Sequence, residues 1–202
     1  MKSNSLVLIL CFLFFLLLPN PLHTCVGRLL VVAVGNSTDQ VIMGQMLSIL
    51  INERTGTTVN VIQPGDLKRC HETVLEGKAD IYINYIGMGL AGMRGSSKAD
   101  DPQKVYILVR QRYMEKFGMV WLKPFGFKGP LTSEANCKRD RATLAAAVAT
   151  KDVLRRFPVL DRLINKLGGR IDSHTMDDLR KRAEQQDIKE TVREFLKAQR
   201  LI

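Results

Sequence analysis

The hydrophobic and polar positions of the chain form two patterns, short unbroken apolar runs and longer apolar stripes with helical spacing. Unbroken runs rich in β-branched residues are typical of strands buried on both faces of a sheet. Residues 29–34 form such a run, and two further strands are predicted at residues 58–62 and 79–86. Helical stripes at residues 41–51 and 67–75 separate them, and Ser37 with Gln40 has the spacing of a capping box before the first stripe. This order predicts an α/β fold with a mostly parallel sheet flanked by helices.

The second half of the chain is predicted to be mainly helical. A helix over residues 104–118 and a fourth strand over 119–122 precede a loop rich in proline and glycine at 124–130. Three later helices are expected where a helix-starting residue precedes an apolar stripe, near Pro158, Thr175 and Asp187. The alanine-rich segment 143–148 has two interpretations. It forms either a helix, which alanine favours, or a short strand that returns to the sheet.

Residues 1–27 have the pattern of a signal peptide. Lys2 precedes an unbroken apolar run at residues 6–18, which is shorter than the roughly 20 residues needed to span a bilayer. Cleavage after Gly27 would leave residues 28–202 as a single α/β domain. Lipidation of Cys25 and an uncleaved membrane anchor are the alternatives. We therefore expect export to the periplasm or another extracytoplasmic compartment, with membrane association left open.

The charge balance of the chain is strongly basic. It carries 30 lysine and arginine residues against 20 aspartate and glutamate residues, a formal net charge of +10. Such a charge favours solubility and non-specific attraction to phosphate or anionic lipid, but it does not define a fold. The basic residues are spread along the C-terminal helices and do not cluster with aromatic residues, which argues against nucleic-acid binding. A basic protein that binds anionic surfaces is an alternative, and high salt should abolish such binding.

No catalytic arrangement stands out along the chain, so we expect no enzyme activity and no cofactor. His71 and Glu72 are adjacent on a predicted helix and therefore point in different directions. The segment 87–92 matches G-x-G-x-x-G, but no long helix is predicted to follow it, so we interpret it as a flexible loop.

The cysteines leave two interpretations open. Cys70 and Cys137 could pair in an oxidising compartment, or each could be a buried free thiol. Beyond residue 27 the chain has only two histidines, His71 and His174, so a histidine–cysteine metal cluster is poorly supported and we expect no metal site.

Several motifs follow one another in a fixed order. They are N-S-T-D-Q-V-I-M-G-Q-M at residues 36–46, H-E-T-V-L-E-G-K-A-D-I-Y at 71–82, Y-I-G at 85–87 and V-W-L-K-P-F-G-F at 120–127. In this order they resemble N-F-T-E-Q-L-I-L-G-E-M, H-E-A-L-x-x-G-x-I-D-x-Y, Y-T-G and V-W-L-x-P-x-G-F of one transporter family. These are the motifs of the substrate-binding proteins of glycine betaine/choline/osmoprotectant ABC importers. Residues 151–154, 157–158 and 193–196 are similar to the closing helices of the same family.

The resemblance implies a fold, a partner and a ligand. Proteins of this family have a type II periplasmic-binding-protein fold with two lobes, hold a quaternary ammonium solute between them and serve an ABC permease. This chain is similar to a single lobe, because the second lobe is missing near residues 134–142. Family members surround the solute with aromatic rings, which attract its positive charge through cation–π interactions.

The resemblance also indicates ligand-binding residues. Tyr85 is the best-preserved aromatic candidate, while Asn36, Thr38 and Asp66 lie in loops at the carboxyl ends of strands, where open α/β sheets bind ligands. Each has a plainer alternative, which is packing for Tyr85 and helix capping or loop hydrogen bonding for the others.

Three positions depart from the family pattern. Ser37 replaces a phenylalanine, Ile86 replaces the threonine of Y-T-G, and Leu131 occupies the place of a tyrosine. These departures support an alternative function, an interaction module or a degenerate remnant that has lost solute binding. In that case Tyr85 and Phe127, if exposed, would be candidate contacts with a partner protein.

Overall fold

One five-stranded sheet organises the described part of the protein. The structure is a computed structural model that describes residues 29–91, 101–129 and 144–202. The strands are β1 (Leu29–Gly35), β2 (Thr58–Gly65), β3 (Ile81–Tyr85), β4 (Met119–Trp121) and β5 (Ala145–Thr150). The expected leader at 1–27 and the expected junction at 134–142 lie outside the described residues.

The sheet has the strand order β2-β1-β3-β5-β4. Strand β1 runs parallel to both β2 and β3, while β5 is antiparallel to both β3 and β4. Four strands therefore share one direction and β5 alone opposes them, which agrees with the prediction of a mostly parallel α/β sheet. The alanine-rich segment is the returning strand of the two interpretations, because pairing on both sides satisfies its backbone.

Helices cover both faces of the sheet. The helices are α1 (Thr38–Thr55), α2 (Leu67–Leu75), α3 (Ile86–Ala91), α4 (Pro102–Phe117), α5 (Lys151–Arg156), α6 (Val159–Asn165), α7 (Ser173–Ala183) and α8 (Ile188–Ala198). One core forms between the sheet, α1 and the C-terminal helices α5 to α8, and we call this side the α1 face. A second core forms between the sheet and α2, α3 and α4, and we call this side the α2 face.

The loop predicted at residues 87–92 is wrong over the residues that the structure describes, because Ile86–Ala91 forms helix α3. The glycine spacing reflects close packing. A Cβ atom at Gly89 would lie 2.6 Å from Cζ2 of Trp121 and 3.2 Å from Cγ1 of Val109. Glycine at this position therefore lets the helix approach the core of the α2 face closely.

Cys70 is a free thiol that is fully buried on the α2 face. Burial raises the pKa of this thiol to about 11, so it stays protonated and unreactive at neutral pH. Of the two interpretations for this cysteine, the structure has the buried thiol. Cys137 lies outside the described residues. The described helices include none that combines the length and the apolar character needed to cross a membrane.

Candidate functional site

A cleft of about 390 Å³ opens at the carboxyl end of β1, where helix α1 begins. Its lining consists of Ser37, Thr38, Asp39, Lys128, Gly129 and Arg180. These residues come from the start of α1, from the loop that follows β4, and from α7. Ligands of open α/β sheets bind at this edge, outside the carboxyl ends of the strands. The cleft is therefore the candidate functional site.

Helix α1 begins at the cleft, because its N-cap and its first two residues line it. Ser37 is the N-cap, and its Oγ accepts a hydrogen bond of 3.4 Å from the backbone N–H of Gln40. The side chain of Gln40 turns back, so that its Oε1 accepts from the backbone N–H of Gly35 at 3.3 Å. The predicted capping pair is thus present, although Gln40 bonds to a residue before the cap. The first N–H groups of a helix have no partner within the helix and carry positive partial charge.

Two cationic side chains line the cleft in different electrostatic surroundings. The guanidinium of Arg180 bonds to Asp39 through Nε at 2.6 Å and to Asp177 through Nη2 at 2.8 Å. Asp39 is only 7% exposed, so this ion pair holds a nearly buried carboxylate at the cleft wall. Lys128 is exposed, and no described residue forms an ion pair with its ammonium group.

Tyr85 lies directly behind the cleft lining. It is 3% exposed, and its ring packs edge-on against Phe127 with 6.5 Å between the ring centroids. A Cβ atom at Gly129 would overlap the Tyr85 ring, so the glycine backbone covers that ring closely. Burial raises the pKa of the Tyr85 hydroxyl, and the nearby charge of Asp39 adds to this rise.

Two polar atoms beside the cleft lack hydrogen-bond partners. They are Nε2 of Gln40 and the hydroxyl of Tyr85, in residues that are 2% and 3% exposed. The hydroxyl lies near the side chains of Ser37 and Gln40, but it is not in hydrogen-bond geometry with either. A third such atom, Nε1 of Trp121, lies in the core of the α2 face. Native proteins rarely leave buried polar atoms unpaired, and the first two of these atoms lie behind the lining of the cleft.

The four predicted site residues lie at the same edge of the sheet but in different surroundings. Thr38 is exposed and lines the cleft, and Asn36 is exposed two positions before it. Asp66 caps helix α2, because its Oδ1 accepts from the backbone N–H of Arg69 at 2.8 Å. The expectation that Tyr85 and Phe127 would be exposed contacts is wrong, since both rings are almost fully buried. The motifs gave no indication that the Gly129 backbone covers the Tyr85 ring or that Phe127 packs against other rings.

Lys128, Arg180 and the unpaired amide of Gln40 are features of the site that no sequence pattern indicated. Arg180 is 141 positions from its partner Asp39, so no local pattern could connect the two. Lys128 lies in the proline- and glycine-rich segment, which has no periodicity to indicate where a side chain points. A bridge between Lys128 and Leu144, and a 3.4 Å bond from the Lys128 backbone N–H to Oγ of Ser173, position this segment.

The fold is shared with solute-binding proteins of known structure. A glycine betaine/carnitine/choline ABC transporter structure superposes with a TM-score of 0.75 at 18% identity, covering 86% of this chain and 98% of the other. Apo YehZ from Escherichia coli superposes with a TM-score of 0.70 at 14% identity, covering 86% of this chain and 99% of the other. Matches at such low identity confirm the expected periplasmic-binding-protein-like fold.

Sequence relatives define the family. The carnitine transport binding protein OpuCC of Listeria monocytogenes is 30% identical over 93 residues, which are 45% of this chain and 30% of the relative. The matched segment thus spans about a third of that relative. The family model OpuAC, described as the substrate binding domain of an ABC-type glycine betaine transport system, matches residues 28–132, just over half of the chain. The chain therefore belongs to the family of substrate-binding domains of ABC-type glycine betaine transport systems.

Proposed function

We propose that the chain is the exported solute-binding component of an osmoprotectant ABC importer. Its partners would be a quaternary ammonium solute of the glycine betaine, carnitine or choline type and the permease of that importer. The observation that carries the proposal is the family match over residues 28–132, which includes the start of α1, strand β3 and the cleft residues Lys128 and Gly129. Family members are solute-binding proteins and not enzymes, and the proposal includes no cofactor.

The proposed ligand contacts are Tyr85, Asn36, Thr38 and Asp66. Thr38 lines the cleft and is directly accessible to a solute. Tyr85 is separated from the cleft by the backbone of Gly129, so contact with its ring requires this glycine to move outward. Asn36 and Asp66 are exposed near the same edge of the sheet but do not line the cleft, so they would contact a solute only at the rim of the cleft.

Titration calorimetry tests solute binding directly. The mature chain, residues 28–202, should release or absorb heat with at least one of glycine betaine, carnitine, choline and proline betaine. Thr38→Val keeps a β-branched side chain at the start of α1 while removing the hydroxyl, and it should weaken that binding. Absence of any heat at millimolar concentrations of all four compounds would reject the proposal.

The second candidate is a protein-interaction module or degenerate remnant that has lost solute binding. It is favoured by the covering of Tyr85 and Phe127, which leaves no open aromatic cage within the described residues, and by Ser37 and Ile86 at aromatic and threonine positions of the family. Capture of an osmoprotectant permease from detergent-solubilised membranes by a chain without solute affinity would support this candidate. Tight solute binding with no captured permease would reject it.

Export and domain organisation are part of the proposal. We propose that residues 1–27 direct export and that the mature protein acts outside the cytoplasm, with a single lobe whose companion is missing near 134–142. Mass spectrometry of the protein purified from its native compartment would distinguish cleavage after Gly27, lipidation of Cys25 and retention of the leader. A mass equal to the full chain would reject both processing routes.

A further inference from the structure

Helix α4 carries apolar side chains on the face that points away from the sheet. On the inner face of this helix, Val105, Val109 and Tyr113 are at most 4% exposed and pack in the core of the α2 face. On the outer face, Ile107 and Met114 are 46% and 38% exposed. A single exposed apolar residue is ordinary, but these two are seven positions apart and therefore lie on one line along the helix.

Basic side chains flank this apolar line. Lys104 and Arg110 are both exposed, and they lie three positions before and three positions after Ile107, so they are its neighbours on the helix surface. Neither forms an ion pair with another described residue. We call Lys104, Ile107, Arg110 and Met114 the α4 surface.

The charges of α4 are uncompensated, whereas those of the neighbouring helix α2 are paired. Helix α4 has four basic residues against one acidic residue, Glu115, which gives the helix a net charge of +3. On α2, the side chains of Lys68 and Arg69 lie 4.0 Å and 2.7 Å from the carboxylate of Glu72. The positive charge of this side of the protein is therefore concentrated on α4.

The end of α2 adds a third exposed apolar side chain beside the α4 surface. Leu75 is 49% exposed. His71 lies one turn earlier on the same face of α2, and its ring packs against Phe117 at the end of α4 with 4.9 Å between the centroids. The two helices therefore end close together. Of the five large hydrophobic side chains that are exposed in the described part of the chain, three lie on these two helices.

We propose that the α4 surface docks on an anionic lipid bilayer. Apolar side chains flanked by lysine and arginine are typical of helices that lie in the membrane interface, where the apolar groups enter the acyl boundary and the cations reach the phosphate headgroups. Helix α4 would stay packed on the sheet through its inner face while its outer face makes this contact. The contact would be reversible, because so few apolar side chains bury too little area for stable insertion. This docking goes beyond the proposed function and does not depend on solute binding.

Two other occupants match the α4 surface less well. A second copy of the chain would place α4 against α4 in a symmetric dimer, and two helices with a net charge of +3 each would repel one another. A nucleic acid would pair with the cations through its phosphates but would leave Ile107 and Met114 without an apolar partner. An anionic bilayer offers phosphate groups and an apolar layer to the same surface.

Co-sedimentation with lipid vesicles tests the docking. The chain from residue 28 contains every described residue and omits the apolar run at residues 6–18, which could bind lipid by itself. We expect it to sediment with vesicles of phosphatidylcholine that contain about one third phosphatidylglycerol, but not with vesicles of phosphatidylcholine alone. Binding should weaken strongly when the salt is raised from about 0.1 M to about 1 M, because the Debye length falls from about 10 Å to about 3 Å.

The apolar part of the α4 surface is tested by a double variant. Ile107→Ser with Met114→Ser should lower the vesicle partition coefficient about tenfold, because two half-exposed apolar side chains no longer enter the bilayer. Val159→Ser is the control, since Val159 is also 38% exposed but lies on α6, on the other side of the sheet. It should change the partition coefficient less than twofold.

The charged part is tested by two double variants of equal net charge. Lys104→Gln with Arg110→Gln removes the cations beside Ile107, and it should lower the partition coefficient at least tenfold. Lys189→Gln with Lys197→Gln removes two exposed cations from α8 on the other side of the sheet, and it should lower the coefficient less than threefold. Circular dichroism on each variant checks that the fold is intact.

Each alternative predicts a different result. If the two charge variants weaken binding equally, a diffuse basic surface is responsible and the role of the α4 surface is wrong. If the apolar variant binds like the wild-type chain, the contact is electrostatic only and apolar docking is wrong. If the wild-type chain binds duplex DNA but not anionic vesicles, or forms a dimer that the apolar variant abolishes, the surface has another occupant and the proposal is rejected. Calorimetry with glycine betaine stands apart from all of these results, since a chain that binds solute but not vesicles rejects the docking alone.

Discussion

Two tyrosines on strand β3, three positions apart, have opposite surroundings. The hydroxyl of Tyr82 lies 2.9 Å from Nδ1 of His71 and accepts a hydrogen bond of 3.4 Å from Nδ2 of Asn84. The hydroxyl of Tyr85 is also buried but has no hydrogen-bond partner among the described residues. Because successive strand residues point to opposite faces, the first belongs to the α2 face and the second to the α1 face. The Tyr82 hydroxyl is thus hydrogen-bonded within the core of the α2 face, whereas the Tyr85 hydroxyl on the α1 face is not hydrogen-bonded to any described residue.

The aromatic rings of Tyr82 and Tyr85 also differ in how many other rings surround them. Around Tyr82, the ring of His71 packs edge-on against Phe117 at 4.9 Å and against Tyr113 at 5.7 Å between centroids, so a closed aromatic cluster results. Within the described ranges, Tyr85 packs against the ring of Phe127, and the backbone of Gly129 at the rim of the cleft covers its other side. The Tyr82 ring is therefore enclosed on its side of the sheet, whereas the Tyr85 ring is separated from an open cleft by a single glycine backbone.

The largest expected effect compares two glycines that press on aromatic rings. A Cβ atom at Gly89 would lie 2.6 Å from the fully buried ring of Trp121, with helices and sheet on all sides. We expect Gly89→Ala to lower the free energy of unfolding by about 2 kcal/mol, because the cost of overpacking exceeds the gain of about 1 kcal/mol in helix propensity. Urea denaturation followed by circular dichroism measures this difference.

Gly129→Ala is the matched substitution on the α1 face. Its Cβ atom would overlap the Tyr85 ring, but Gly129 lines an open cleft and its backbone can move toward solvent. The expected loss is below about 1 kcal/mol, since an open rim relaxes where a closed core does not. Equal losses for the two variants would show that the cover of Tyr85 is as rigid as the α2 face.

The next effect comes from removing each tyrosine hydroxyl in turn. Tyr82→Phe leaves Nδ1 of His71 and Nδ2 of Asn84 without this partner, and we expect a loss of about 1.5 kcal/mol in the free energy of unfolding. Tyr85→Phe removes an unpaired buried hydroxyl, so stability should stay the same or rise by up to about 1 kcal/mol. Denaturation of both variants under identical conditions gives the comparison.

Solute affinity should respond in the opposite order. Tyr85→Phe should weaken glycine betaine binding several-fold if its hydroxyl donates to the solute, whereas Tyr82→Phe should leave the Kd unchanged because it lies on the far side of the sheet. A stability loss for Tyr85→Phe as large as that of Tyr82→Phe would contradict the comparison. It would mean that the Tyr85 hydroxyl has a structural partner.

The fold could largely be predicted because its signals are local. Strands β1 to β4 and helices α1, α2 and α4 follow from apolar periodicity and from capping residues such as Ser37 and Asp66, whereas α3 was predicted as a loop. Segment 143–148 stayed ambiguous because alanine has a high helix propensity and only the neighbours of a strand override it. Strand β5 forms because β3 and β4 pair with it on both sides, and these contacts are distant in sequence.

The candidate site was predictable only in part. Thr38 and Tyr85 belong to short motifs, so a resemblance could indicate them before their surroundings were known. Lys128 and Arg180 reach the cleft through tertiary packing, and neither lies in a segment whose pattern indicates a binding role. The burial of Tyr85 depends on Gly129, forty-four positions later, so its cover could not be inferred from β3 alone.

The smallest effect is a pH dependence that belongs to the α2 face. Burial lowers the pKa of His71 below its ordinary value of 6.5; Lys116 lowers it further, and Glu72 acts in the opposite direction. Because the folded pKa is below the unfolded one, the unfolded chain binds the proton more readily between the two values. The stabilising contribution is therefore complete above about pH 6.5 and is lost as the pH falls from there to the folded pKa of His71. A pKa unit corresponds to about 1.4 kcal/mol, and the partly exposed ring should contribute less than about 1 kcal/mol.

Two histidine variants isolate this contribution from the carboxylates that titrate in the same range. Denaturation at several pH values between 5 and 8 should show a smaller decline in stability for His71→Gln than for the wild-type chain. His174→Gln, at the exposed start of α7, should retain the wild-type decline. Because His71 contacts the Tyr82 side of β3 and not the cleft, glycine betaine affinity should not follow this titration. A solute affinity that falls together with His71 protonation would show that the two faces of the sheet are coupled, and the proposed separation of a structural Tyr82 from a ligand-contacting Tyr85 would be wrong.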